Sequence, residues 1–214
     1  MTKGLFITIE GGEGAGKSSI AKRIEEQLTS DGYPVVRTRE PGGIPISEKI
    51  RAILLDVRHT KIDDRTEALL YAAARRQHLV EKVIPALEKG AIVLCDRFVD
   101  SSLVYQGYAR GIGIEAVKIV NEFAIAGYRP DLTLLFDVDP EIGLARIKKD
   151  HYREQNRLDQ ESLEFHHRVR EGYLLLQQME PDRIKIIDAN QPFSEVYNEA
   201  LETIYRCIEK NVRS

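Results

Sequence analysis

The 214-residue chain is predicted to be an α/β protein, a five-stranded parallel sheet flanked by helices. Three observations predict this. Five apolar runs with strand-like content recur at Leu5 to Glu10, Val35 to Arg39, Ala91 to Asp96, Leu132 to Asp137 and Ile184 to Asp188. Segments of helical periodicity separate them. A glycine-rich stretch follows the first run, where an open parallel sheet meets its ligands.

Taken in order, Leu5-Phe6-Ile7-Thr8-Ile9 has the β-branched and aromatic content of a buried strand. Ile20, Ala21, Ile24 and Leu28 then mark one face of a helix, which Gly32 ends. Beyond the second run, Ile46 to Leu55 reads as a helix. Asp64 with Glu67 resembles a capping box opening a long helical pattern from Thr66 to Lys89, which Pro85 is expected to kink or split. Gly90 stops it. Asp139 before Pro140 reads as an N-cap with a first-turn proline. No internal repeat or low-complexity linker is found, and one domain over residues 1–214 is expected.

Composition narrows the function. A hydrophobic content of 43% supplies a full core, and a net charge of −3 argues against a nucleic-acid-tracking face. A small phosphorylated ligand fits better. Met1-Thr2-Lys3-Gly4 carries no leader pattern, and no run is long and apolar enough for a membrane span, so a cytoplasmic protein without membrane partners is expected. Cys95 and Cys207 lack metal-ligand spacing and read as free thiols. The five histidines show no ligand constellation and none is expected to be catalytic.

Gly11-Gly12-Glu13-Gly14-Ala15-Gly16-Lys17-Ser18 is a complete G-x-x-x-x-G-K-[ST] phosphate loop between a strand and a helix. Its glycines let backbone N–H groups point inward, Lys17 reaches the β/γ-phosphates, and the Ser18 hydroxyl, followed by Ser19, is placed to ligate Mg²⁺. Asp96, ending an apolar strand, is the expected metal-side acid. Arg97 beside it offers a planar fork for a second phosphate. The clusters after strands one, two and three should converge on one cleft.

Glu10 to Lys17, Arg39-Glu40-Pro41-Gly42-Gly43, Asp96-Arg97-Phe98-Val99-Asp100-Ser101-Ser102 and Tyr105-Gln106-Gly107 together resemble the bacterial thymidylate kinase family. The resemblance covers nearly the whole chain. It implies a P-loop nucleotide kinase fold and a homodimeric enzyme that moves the ATP γ-phosphoryl to dTMP with Mg²⁺, giving dTDP and ADP for dTTP biosynthesis. It assigns Glu13 to the sugar 3′-hydroxyl and Arg39, Arg51 and Arg97 to the acceptor phosphate, with Glu40 orienting its neighbours. Arg51 reads equally as a solvated helix charge. The base falls to Tyr71, Arg75 and Gln106, helped by Ser102. Arg75 would donate to thymine O4 and Gln106 accept from N3–H, leaving cytosine unpaired. Tyr71 stands where the family often carries Phe. Tyr105, beneath the sugar, would exclude a 2′-hydroxyl.

Residues 146–159 are charged and weakly apolar, and read as a lid. The phosphate loop has no arginine, so the charge over the transferring phosphoryl is assigned to Arg153 and Arg157, as in the family branch with a basic lid. Arg146, Lys148 and Lys149 read as ordinary helix surface, and Asp188 to Pro192 as the segment that wraps adenine. Other readings stay open: a GTPase switch, disfavoured for want of an N-K-x-D element, a non-kinase ATPase, or another deoxynucleotide or deoxynucleoside kinase.

Overall fold

The computed structural model describes residues 4–149 and 157–212. Its centre is a sheet of five parallel strands, β1 (Leu5–Gly11), β2 (Val35–Arg39), β3 (Ile92–Asp96), β4 (Leu132–Asp137) and β5 (Ile184–Asp188), in the order β2-β3-β1-β4-β5. Helices cover both faces: α1 (Lys17–Ser30), α2 (Pro45–Leu55), α3 (Asp64–His78), α4 (Ile84–Glu88), α5 (Val99–Ser102), α6 (Ile114–Ile125), α7 (Pro140–Lys149), α8 (Leu163–Met179) and α9 (Phe193–Val212).

Burial on both faces explains the near-continuous apolar strands. Along β1, Phe6 joins a core with Phe98, Val104 and Tyr173, while Ile7 and Ile9 join another with Ile20, Ile24, Phe136 and Ile204. Register then aligns the strand ends. Asp96 lies opposite both Ile9 and Arg39, and Gly11 opposite Phe136. The polar residues that follow β1, β2 and β3 therefore emerge side by side at one edge. Among the described residues, no helix is long and apolar enough to cross a membrane.

Two local expectations need correction. The helix cap is Asp63, whose side chain accepts from the Arg65 and Thr66 N–H groups, and not the Asp64 with Glu67 pair. Glu67 instead turns into the protein and is 1% exposed. Pro85 does not split the helix: a π-helical stretch over Leu79–Val83 joins α3 to α4, and the wider turn accommodates the residue that has no N–H. Residues Arg146 to Lys149 form the end of α7, as their reading as helix residues predicted.

A second π-helical stretch, Leu103–Ala109, carries Tyr105 and Gln106. Such widened turns occur mostly as short insertions within helices, and frequently at functional sites. Here it follows α5 directly and packs between α6 and α8.

Candidate active site

The loop from Gly11 to Gly16 bends onto the N-terminus of α1, whose first N–H groups have no partner inside the helix and favour an anion. Its close fit depends on two glycines that face each other. A Cβ on Gly14 would lie 2.1 Å from the Gly143 carbonyl oxygen, and one on Gly143 would lie 2.2 Å from that of Glu13. Gly143, on α7, escaped the sequence reading because nothing local marks it.

Lys17 donates to the carbonyls of Gly11 at 3.1 Å and Gly12 at 2.7 Å. Burial, then the nearby Arg97 charge, pulls its ammonium down to about 8. Ser18 Oγ donates to Asp96 Oδ2 at 2.7 Å, so the two candidate metal-side residues meet across the strand ends.

Arg97 holds a left-handed backbone, φ 70°, its N–H bonded to Ile9 O at 2.9 Å. For a residue with a long side chain this is strained, a state that persists where surrounding contacts fix it and that clusters at functional sites. Its guanidinium meets Glu13 Oε1 and lies over the Tyr105 ring, 5.1 Å from the centroid. The Tyr105 hydroxyl donates to the same Glu13 oxygen at 3.3 Å. Glu13 thus meets both Arg97 and Tyr105.

Glu10, just before the loop, accepts from the Phe98 N–H at 2.7 Å, Ser101 Oγ at 2.5 Å and Tyr173 Oη at 2.9 Å. Burial and the neighbouring Asp100 charge push its carboxyl up to about 7. Neither Glu10 nor Ser101 stands out in sequence as more than the flank of a motif.

Glu67, Tyr71, Arg75 and His78 lie on one face of α3, following the helical repeat, and all four are buried. Arg75 is 1% exposed. It donates to Glu40 Oε2 at 2.7 Å, Ser102 Oγ at 3.0 Å, Phe98 O at 2.9 Å and Asn121 Oδ1. These contacts use four of five guanidinium N–H groups. Glu40 therefore positions Arg75, and its other oxygen bonds His78 Nδ1 at 2.9 Å. Asn121 was missed, although a lone Asn within the apolar repeat of α6 was a legible signal. Tyr71 is buried and pushed up to about 12 by that burial.

Gln106 donates through Nε2 to Glu67 Oε1 at 2.7 Å. Glu67 also receives Arg157, whose Nε bonds the Leu54 carbonyl at 3.1 Å. Arg153 lies outside the described residues. Arg39 bonds Glu48 at 2.8 Å and Arg51 bonds Pro41 O at 3.2 Å.

One cleft of about 1060 Å³ brings many of these groups together, but Arg157, held on Glu67 and the Leu54 carbonyl, is not among its lining residues. Residues Glu13 to Ser19 line it together with Asp96 and Arg97, while Gly11 and Gly12 hold Lys17 through their carbonyls. Arg39, Glu40 and Arg51 line it too. So do Tyr71, Arg75, Ser102, Tyr105 and Gln106. Leu158 lines the cleft, as does Arg146, which the sequence placed on ordinary helix surface. Arg146 also occupies the Ala189 carbonyl at 2.9 Å, within the segment expected to wrap adenine.

The histidine expectation also changes. His78, Glu40 and Cys95 come from three separate elements, so no spacing announces them, yet their ligand-capable atoms lie within 4.8 Å of one another. Both His78 nitrogens are already engaged, by Glu40 at 2.9 Å and Thr38 Oγ1 at 2.7 Å, and the Cys95 thiol donates to Arg97 O at 3.1 Å. The cluster is a hydrogen-bonded brace beneath Arg75.

A phosphate loop at the end of a parallel sheet, facing an arginine-rich pocket across one cleft, defines a P-loop nucleotide kinase. Comparison with known proteins gives the family. The thymidylate kinase family model matches residues 9–200. The chain is 66% identical to the thymidylate kinase of Halalkalibacterium halodurans, covering 95% of this chain and 97% of that one. It is 61% identical to that of Shouchella clausii, covering 97% and 98%. The crystal structure of Ehrlichia chaffeensis thymidylate kinase superposes with a TM-score of 0.75 at 32% identity, covering 95% and 99%. The chain belongs to the thymidylate kinase family.

Proposed function

We propose that this chain transfers the γ-phosphoryl group of ATP to dTMP, giving dTDP and ADP in the supply of dTTP. The observation that carries this reading is Gln106. Its Nε2 is committed to Glu67, so the amide oxygen is the atom left for the cleft, where it can accept from thymine N3–H. The fifth N–H of Arg75, unclaimed among the described residues, suits thymine O4. Cytosine presents the opposite edge to both and would leave buried groups unpaired.

Catalysis then needs alignment and charge neutralisation more than covalent help. Lys17 turns from the Gly11 and Gly12 carbonyls to the phosphates of ATP. Arg97, with Arg39 and Arg51, holds the 5′-phosphate of dTMP. Glu13 takes the sugar 3′-hydroxyl, Tyr71 stacks on the base, and Tyr105 fills the space a ribose 2′-hydroxyl would need. Ser18 and Asp96 fit Mg²⁺: a hydroxyl and a carboxylate are hard oxygen donors, and they converge within 2.7 Å. When bound, Mg²⁺ supplies charge neutralisation on the transferring phosphates. Arg153 and Arg157 belong to a lid over about 146–159, whose first residues form the end of α7. Its closure excludes water.

The chain works as one catalytic domain, in the cytoplasm and as a homodimer. Support for pairing comes from two helices packed on each other, α6, where Phe123 is 91% and Ile119 71% exposed, and α3, where Leu69 is exposed. Apolar residues of this size in water suit a second copy.

The test is a coupled assay of ADP release across a panel of nucleoside monophosphates. The expected result is far faster turnover with dTMP than with dCMP. Equal rates on the two refute the base assignment.

A further inference from the structure

Glu67, on α3, is a carboxylate buried against the second π-helical stretch and is not among the residues that line the cleft. Its oxygens take Gln106 Nε2 at 2.7 Å and Arg157, with Arg110 Nε 3.5 Å away. Such a charge is costly to bury unless it is well bonded and opposed, and Arg157 and Arg110 oppose it. A need for bulk or packing would be met by an apolar residue. What only an ionised acid provides here is an acceptor with no donor of its own.

That property matters for Gln106. Its amide has nearly the same shape in two orientations, which differ in whether oxygen or N–H₂ faces the cleft. A carboxylate can bond only the N–H₂ side. We propose that Glu67 is a positioning residue that sets pyrimidine choice, by locking the Gln106 amide with its oxygen toward the base. This rests on reading Gln106 as the group that meets the pyrimidine N3 position. Thymine N3 donates and cytosine N3 accepts, so a locked oxygen welcomes one and opposes the other, whereas a freely turning amide accommodates both. Arg75, held separately by Glu40 and Asn121, keeps part of the discrimination without Glu67.

The experiment compares kcat/KM for dTMP and dCMP in Glu67→Gln, a variant that keeps size but can present either a donor or an acceptor to Gln106. The dTMP to dCMP ratio is expected to fall about tenfold or more. In a Gln106→Met background, Glu67→Gln is expected to leave the ratio where Gln106→Met alone puts it. An unchanged ratio in folded Glu67→Gln overturns the proposal. So does an equal fall in both backgrounds, because Glu67 would then act through something other than Gln106. If Gln106→Met alone leaves the ratio unchanged, the underlying base reading fails and this proposal with it. Should Glu67→Gln not fold, the wild-type protein decides. The Gln106 side-chain ¹H–¹⁵N signals, identified by their loss in Gln106→Met, should exchange with solvent about tenfold or more slowly than a free amide. Exchange at the free rate overturns the lock.

Discussion

Ser18 Oγ donates to Asp96 Oδ2 at 2.7 Å, joining the first turn of α1 to the end of β3. Both groups are oxygen donors beside the phosphate loop, so Ser18→Ala and Asp96→Asn are expected to raise the Mg²⁺ concentration for half-maximal rate by about 10–100-fold. A titration of Mg²⁺ against ADP release measures it, and chelation should stop turnover in the unaltered protein. An unchanged Mg²⁺ requirement in both variants would place the metal elsewhere.

Lys17 loses its proton near pH 8 in the nucleotide-free protein, below its usual 10.5, because burial and Arg97 oppose its charge. Bound phosphates favour the charged form. Above pH 8, ATP binding should therefore take up a proton, and affinity should fall by nearly tenfold per pH unit, about 1.4 kcal/mol. Calorimetry at pH 8.5 in buffers of different ionisation enthalpy reads the uptake directly. Zero uptake contradicts the assignment.

Glu10 behaves in the opposite sense. Its folded carboxyl is raised from 4.5 to about 7, so the folded state binds the proton more tightly than the unfolded chain. The stability this gives is fully present below about pH 4.5 and is lost as pH rises through 7. Glu10→Gln, permanently neutral, should lack that slope. Its stability relative to wild type should improve between pH 4.5 and 7.5 by something on the order of 3 kcal/mol. Urea unfolding of both proteins at the two pH values checks this, and a difference that does not vary with pH would be the contrary result.

Arg97 combines strained backbone with a guanidinium in the cleft. Arg97→Gly relieves the first and deletes the second. Stability should change by no more than about 1 kcal/mol, while kcat/KM falls by about 10²–10³-fold. A large loss of stability with little loss of activity would make Arg97 structural.

Arg157 is held by Glu67 and the Leu54 carbonyl. If the lid arginines neutralise charge on the transferring phosphoryl, Arg153→Ala and Arg157→Ala should lower kcat by about tenfold or more with less effect on dTMP binding. Unaltered kcat in both variants removes them from the mechanism.

Much of this molecule was readable along the chain. The five strands fall where apolar β-branched runs predicted them, because a parallel sheet covered on both faces demands such runs. The loop from Gly11 to Gly16 was readable because its motif is contiguous in the chain, so spacing alone marks it between β1 and α1. Glu67 was misread as part of a cap, since an acid near a helix start suits both a cap and an inward pair. Its spacing with Tyr71, Arg75 and His78 was the better signal. Gly143 and the left-handed Arg97 carried no local mark.

What the sequence determined is therefore everything that depends on neighbours in the chain: strand periodicity, helix faces, and the contiguous glycine-rich loop between β1 and α1. What only the tertiary structure decided is which groups meet from far apart. Arg75 against Glu40, Ser102 and Asn121, Gln106 against Glu67, and Gly14 against Gly143 are contacts between residues 27 to 129 positions apart, as the residue numbers give. Orientation of a buried polar side chain is set by whichever partners satisfy its hydrogen bonds, and those partners are assigned only when the elements pack.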